Sequence, residues 1–513
     1  VDIRGGLPGL DIIGLADRAV SESARRVRTA LANSGCRLPA RRIVVNLAPA
    51  DLPKRGSSLD LPIAAAIMAA TGHCLPFEGR PMAYWGQVAL DGGVGPSPGE
   101  LCFALAARQV APHGVVLPAG GGGLAGALSL PQYRISQLSD LTLYQGDPSY
   151  WPAAVIPAGQ AAASAADPDP GYAGPSDRWL LAIAGLAGAV RSVQVAAAGH
   201  HHTLFLGPPG VGKSMLARAV HALLPPLSIA EAAEVAAIWA MSCGPDRHHR
   251  RPGQEAGDSL SAGIHARPLR EPLPASSLRA ICGGGQIPMP GEVTLAHRGL
   301  LVLDELAKFR PAVLTELCQV LDRGSVVTSS AHGPVSMPAR FLLAATTNLC
   351  PCGRAGSSGS TCTCSPQSRR AFRQRLNLAL LDRVPVQIEI SGPDRDELES
   401  ALVRHARTSP GQGARLAGLR RAAWSARRRQ AERYGLEITN AEVDDLVFRR
   451  EAQLSPSAVR LAVRVGDEQG LSARVTGGAL RVSRTIADLD GSGEVLEEHV
   501  AEALGYRCRI IAR

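Results

Sequence analysis

Thr203-Leu204-Phe205-Leu206 runs into Gly207-Pro208-Pro209-Gly210-Val211-Gly212-Lys213-Ser214, and Met215 to Leu224 continues with a helical pattern. A strand-like run, a full G-x-x-x-x-G-K-S and a helix form the setting in which this motif binds phosphate. The glycines let successive backbone N–H groups point inward at β- and γ-phosphates, and the positive end of the following helix reinforces the anion site. Lys213 supplies a point charge to the phosphates and Ser214 a hydroxyl ligand for Mg²⁺. A Gly-Pro turn without function does not account for an eight-position match between strand and helix, so residues 207–214 are expected to cradle a nucleoside triphosphate. Further on, Gly299-Leu300-Leu301-Val302-Leu303-Asp304-Glu305 reads as a buried strand ending in two carboxylates. Adjacent residues of a strand face different partners, which suits Asp304 to holding Mg²⁺ through its water shell and Glu305 to acting as base on an attacking water. An acidic pair that merely closes a strand is the weaker reading once the phosphate loop is granted.

The elements that must carry these residues belong to a chain of 513 residues, too long for one core and expected to divide into about three domains. Hydrophobic content of 45% supports folded cores, and no apolar run reaches the roughly 18 residues of a membrane span. Eleven cysteines without secreted-type spacing fit a reducing cytoplasm. The net charge of +9, carried almost wholly by arginine, is compatible with a polyanionic partner. Arg42 to Leu47 and Met82 to Leu90 read as strands, Ser21 to Ser34 and Leu61 to Thr71 as helices. Trp151 to Asp177 is rich in Pro, Ala, Gly and Ser and reads as a linker. The run Arg427-Arg428-Arg429, with Arg433 and interleaved aromatics, has the composition of a nucleic-acid surface or of a solvated helix face.

Gly6-Leu7-Pro8-Gly9, Val27-Arg28-Thr29-Ala30-Leu31 and Val45-Asn46-Leu47-Ala48-Pro49-Ala50-Asp51-Leu52-Pro53-Lys54 resemble the N-terminal domain of the ComM/YifB group, bacterial AAA+ proteins related to the magnesium-chelatase ATPase subunit. Members usually begin some two dozen residues earlier, so an N-terminal truncation is expected. That domain in turn resembles the proteolytic domain of Lon, and Ser58 falls at the Lon nucleophile. A serine nucleophile needs a base within reach, but the Lon lysine would fall near Leu101, which cannot take a proton, so no peptidase is expected and Ser58 reads as a surface serine.

The resemblance assigns further residues. Asn348, after the strand-like run Arg340 to Thr347, matches sensor 1, which orients the lytic water. Arg383 in Leu380-Leu381-Asp382-Arg383-Val384 matches the arginine finger that reaches a neighbouring subunit's γ-phosphate, an effect worth roughly 10³–10⁵ in rate. Arg474 matches sensor 2, touching the nucleotide from the C-terminal lid. Gly324 to Val335 matches a hairpin that projects into the pore of ring motors, here without a basic tip. Cys350, Cys352, Cys362 and Cys364 resemble the family's N-P-C-P-C-G…C-x-C-S-P, either a tetrahedral Zn²⁺ site or four reduced cysteines. His200-His201-His202 reads as the edge of the phosphate-loop strand.

The expected fold is α/β: a Lon-protease-like (ribosomal S5 domain 2-like) α+β domain over 1–150, a linker over 151–177, a P-loop AAA+ core over 178–392 and a helical lid over 393–513. The resemblance implies a cytoplasmic ATP- and Mg²⁺-dependent ring of six copies that drives branch migration of single-stranded or branched DNA during recombination of incoming DNA. A magnesium-chelatase-type ATPase subunit and a remodeller of proteins are the alternatives.

Overall fold

The computed structural model describes residues 1–14, 18–49, 54, 56–74, 82–97, 99–110, 113–120, 130–142, 176–183, 186–242, 266–285, 288–330, 333–356, 361–391, 410–435 and 437–507. The expected linker over 151–177 lies almost wholly outside them. The chain divides into two compact units, Val1–Ala166 with Ser228–Ile264, and Asp167–Leu227 with His265–Arg513. Among the described residues no helix is long and apolar enough to cross a membrane.

In the first unit β1 (Asp2–Arg4) pairs antiparallel with β3 (Arg42–Asn46), and β2 (Gly9–Ile13) pairs parallel with β3 on its other side. The expected strand Met82–Leu90 is broken into β4 (Ala83–Tyr84) and β5 (Gln87–Val88). β5 forms a hairpin with β6 (Val94–Gly95), while β4, β7 (Val115–Pro118) and β8 (Gln132–Ile135) make a parallel sheet. Helices Arg18–Asn33 and Asp60–Ala70 bury Val27, Leu31, Leu61, Ile67 and Met68 against Ile43 and Val45 of β3. Asp60 is fully buried and holds Arg26 at 3.0 Å and the Ser23 hydroxyl. Helix Ile229–Ser242 belongs to this unit: Ala233 shares a core with Ala104 and Val115, and Cys102 Sγ lies 3.2 Å from the Ala237 carbonyl. Ser58 is 5% exposed, a correction to its reading as a surface residue. It sits in the turn before Asp60–Ala70, and its carbonyl accepts the Gly86 amide at 3.1 Å.

The second unit is built on a five-stranded parallel sheet in the order β10-β11-β14-β9-β15, with β9 Thr203–Leu206, β10 Leu269–Arg270, β11 Leu300–Leu303, β14 Leu342–Thr347 and β15 Val386–Glu389. Every residue of β9, β11 and β14 is buried, as strands covered on both faces require, and their apolar runs follow from it. The hairpin β12 (Ser325–Ser330) and β13 (Gly333–Pro338) lies between β11 and β14 in the chain, its tip at 331–332 outside the described residues. From Pro410 the described chain is helical, in five helices that include Pro410–Tyr434 and Ala473–Asp490.

Candidate nucleotide site

Counted along the chain, the five strands stand in the order 2-3-4-1-5, and this crossing assembles the site. β14 lies between β9 and β11, so three segments far apart in sequence end side by side, at the carboxyl edge where parallel sheets bind ligands. Thr347 is level with Leu206, which sets Asn348 beside Gly207. Ala345 is level with Leu303, which sets Thr346 beside Asp304.

Lys213 Nζ donates to the carbonyls of Gly207 (2.9 Å) and Pro208 (2.6 Å) and to Asn348 Oδ1 (3.1 Å). Burial pulls its pKa below the usual lysine value, against the raising influence of Asp304 and Glu305. An ammonium held among carbonyls in a poorly solvated slot is one that phosphate oxygens stabilise. Gly210 and Gly212 have φ of +83° and +90°, which side-chain-bearing residues rarely adopt. The loop therefore closes over Lys213 as the motif requires.

Ser214 Oγ donates to Asp304 Oδ1 at 2.7 Å, and Thr346 Oγ1 donates to the same oxygen at 2.6 Å. Thr346 also accepts the Glu305 amide at 3.0 Å. Glu305 occupies the left-handed region, φ +56°, and pairs with Lys308 at 2.5 Å. A non-glycine residue in that region is costly and persists where neighbours hold it, commonly at functional sites. Ser214 and Asp304 offer adjacent hard oxygens of the kind Mg²⁺ takes, and they fit as its holders. That ion would neutralise charge on the β- and γ-phosphate oxygens. Thr346 escaped the sequence reading: its role comes from sheet register rather than from any linear motif.

Arg383 grips Asp322 with two bonds, Nε to Oδ1 at 2.8 Å and Nη2 to Oδ2 at 2.5 Å, and donates to the Ala379 carbonyl at 2.6 Å. The resemblance gives Arg474 as a residue that touches the nucleotide from the lid. In the structure its Nη1 donates to Asp322 Oδ1 at 3.2 Å, beside Arg383. Hydrogen bonding from Arg383, with the charge of both arginines, draws the Asp322 carboxyl below its usual pKa.

The four cysteines converge. Cys350 Sγ lies 3.4 Å from Cys352 and 3.5 Å from Cys362, Cys352 lies 3.6 Å from Cys362, and all four sulfurs are within 4.8 Å of one another. The Ala355 amide donates to Cys350 Sγ at 3.3 Å, and the Arg354 and Cys352 amides donate to Cys352 and Cys364. The histidines before β9 are occupied internally. His201 Nε2 meets Thr485 Oγ1 at 2.7 Å, His202 Nδ1 accepts the Leu343 amide at 3.1 Å, and burial lowers both pKa values to about 3.

The arginine run of Pro410–Tyr434 corrects both sequence readings, since most of it points inward. Arg420 donates to the Ala222 carbonyl (2.8 Å) and pairs with Asp177; Trp424 Nε1 donates to Leu223 (3.1 Å). Arg427 donates to Ala197 (2.9 Å) and Gln430 to Ala198 (3.2 Å). These carbonyls end the helices Ala187–Gly199 and Lys213–Leu223. The run thus caps orphan acceptors, with two cations at the negative ends of helix dipoles. Arg429 donates to the Asp488 carbonyl and Arg433 pairs with the fully buried Asp488 side chain, while Arg415, Arg421 and Arg428 are exposed.

A parallel α/β sheet carrying a phosphate loop, paired carboxylates and a polar residue on the neighbouring strand defines an AAA+ ATPase. Family profiles agree along the chain. "Subunit ChlI of Mg-chelatase" matches residues 1–121, "Magnesium chelatase, subunit ChlI" matches 180–398, and the C-terminal profile of the same subunit matches 415–507. The chain is 33% identical over 510 residues to competence protein ComM of Haemophilus influenzae, covering 99% of this chain and 94% of that protein. It is 32% identical over 507 residues to the uncharacterized protein YifB of Escherichia coli, covering 99% and 93%. A shorter similarity, 29% over 165 residues, links it to Lon protease 2 of Bacillus subtilis, covering 29% of this chain and 26% of that one. The chain belongs to the ComM/YifB family of magnesium-chelatase-like AAA+ ATPases.

Proposed function

We propose that the chain is an ATP-driven ring motor that works on single-stranded or branched DNA, with each nucleotide site completed by the adjoining subunit. The carrying observation is the shared carboxylate Asp322. Arg383 and Arg474 are gathered at one place, as two cations offered to a neighbour's γ-phosphate would be. In this reading Lys213 binds β- and γ-phosphate, Ser214 and Asp304 hold Mg²⁺, Asn348 orients water, Glu305 takes its proton, and Arg383, joined by Arg474, stabilises charge on the transferring group. The Lon-like N-terminal domain, the helical lid and a hexameric ring belong to the same proposal. The name of the ComM relative and the net positive charge support the DNA partner. The test is ATP turnover with and without forked DNA, together with DNA binding in a non-hydrolysable nucleotide. Stimulation by forked DNA supports the reading. Absence of both binding and stimulation turns the assignment to a chelatase-type or protein-remodelling partner.

The same proposal includes zinc at Cys350, Cys352, Cys362 and Cys364. Zn–S bonds of about 2.3 Å in a tetrahedron put sulfurs about 3.8 Å apart, and the three separations of 3.4–3.6 Å are close to that. Amide N–H donors to thiolates are the surroundings such centres carry. Four thiols from one loop fit the metal, and elemental analysis of freshly reduced protein should give about one zinc per chain.

A further inference from the structure

The cysteine loop does more than follow Asn348 in sequence: it lies on the phosphate loop. Gly353 and Gly356 both have positive φ, +76° and +79°. A Cβ added at Gly353 would lie 2.8 Å from Pro209 Cγ and 3.0 Å from Pro209 Cδ, with Asn348 Nδ2 at 3.9 Å. A Cβ at Gly356 would lie 2.9 Å from Leu349 Cδ1 and 3.9 Å from Pro208 Cδ. The backbone carrying Cys350 and Cys352 is thus pressed against Pro209 and in ordinary contact with Pro208, and only glycine permits the approach at Gly353 in that conformation. Gly207 and Pro208 carbonyls, with Asn348 Oδ1, are in turn what holds Lys213 Nζ.

From this contact we infer that the tetrathiolate centre braces the ATP site. A divalent cation of the zinc class at Cys350, Cys352, Cys362 and Cys364 fixes the turn through Gly353 and Gly356. The turn fixes Pro208 and Pro209, and with them the carbonyls and the Asn348 amide that aim Lys213. Emptying the centre frees 349–356 to move off the prolines, and the phosphate loop loses one wall. Cys350 is fully buried while Cys352 is exposed, so the centre is anchored in the core yet open to chelators and thiol reagents. ATP binding is thereby made conditional on metal loading. This inference rests on the zinc reading above, and its test separates the two.

The experiment measures three quantities on the reduced full chain: zinc content, the visible spectrum after replacement by Co²⁺, and affinity for a fluorescent non-hydrolysable ATP analogue. Mg²⁺ is held in excess while a zinc-selective chelator removes the thiolate-bound metal. The expected result is about one zinc per chain, a tetrahedral cobalt–thiolate spectrum, and a loss of nucleotide affinity of at least about tenfold on stripping, recovered when zinc is returned. Gly353→Ala keeps every thiol but pushes the turn off Pro209. It should retain metal and the cobalt spectrum while binding nucleotide more weakly. Cys352→Ser with Cys364→Ser should lose metal and affinity together, with no rescue by added zinc. Metal that can be stripped and returned with unchanged nucleotide affinity, or Gly353→Ala with metal and wild-type affinity, overturns the brace and leaves the zinc centre standing. Freshly reduced protein that binds nucleotide but contains no metal overturns both, while the ATPase assignment survives.

Discussion

Thr346 holds the two acidic residues of the site in register, donating to Asp304 and accepting from the Glu305 amide. Thr346→Val keeps the shape and removes both bonds. It should leave ATP binding near wild type and lower turnover about 10- to 100-fold, the usual scale for a residue supporting a metal-holding side chain; parallel binding and rate measurements check this. Lys213→Ala and Glu305→Gln should separate in the same assays. The first loses a phosphate contact and weakens binding, whereas the second keeps binding and loses turnover; a Glu305→Gln chain that turns over like wild type contradicts its role as base. Lys213 was legible as part of the G-x-x-x-x-G-K-S motif, and Asp304, Glu305 and Asn348 because each follows a linear apolar run. Thr346 was not, because a threonine inside a buried strand acquires its role only when β14 docks between β9 and β11.

At the scale of the element, the helix Pro410–Tyr434 shows how composition misleads. Leu416, Arg420, Ala423 and Gln430 are buried at helical spacing, with half-buried Arg427 on the same stripe. An apolar-pattern search does not see a stripe made partly of arginine and glutamine. Their buried ends are satisfied by the helix-terminal carbonyls they cap. Arg420→Ala would break its buried ion pair with Asp177, itself 7% exposed. A loss of about 3 kcal/mol is expected, read as a lower denaturant midpoint. Buried His201 and half-buried His202 give a second prediction. His201 and His202 have folded-state pKa values lowered to about 3, against about 6.5 unfolded. Below 6.5 the unfolded chain therefore binds protons that the folded chain refuses. Their contribution is intact above pH 6.5 and is lost as pH falls towards 3, by up to about 1.4 kcal/mol per pH unit for each. Urea midpoints between pH 7.5 and 5 should fall accordingly, and replacing His201 by Gln should reduce the slope. The strand Met82–Leu90 failed for a different reason: the break at Trp85-Gly86 serves helix Asp60–Ala70, where the Leu61 amide donates to the Gly86 carbonyl at 3.1 Å.

For the whole molecule, the proposed ring reading means that one chain holds an incomplete site. Lys213, Ser214, Asp304 and Glu305 form one half, and Arg383 with Arg474 at Asp322 forms the other. Specific ATPase activity should therefore rise with protein concentration as rings assemble. The most direct test mixes two inactive variants. Arg383→Ala retains the base but offers no finger, and Glu305→Gln retains the finger but lacks the base. Alone, each should turn over ATP at least about 10³-fold more slowly than wild type. Mixed in equal amounts and reassembled, random rings place an intact site against an intact finger at about one interface in four, and roughly a quarter of wild-type turnover should return. A mixture no faster than its separate components, or Arg383→Ala turning over at the wild-type rate by itself, contradicts a site shared between subunits.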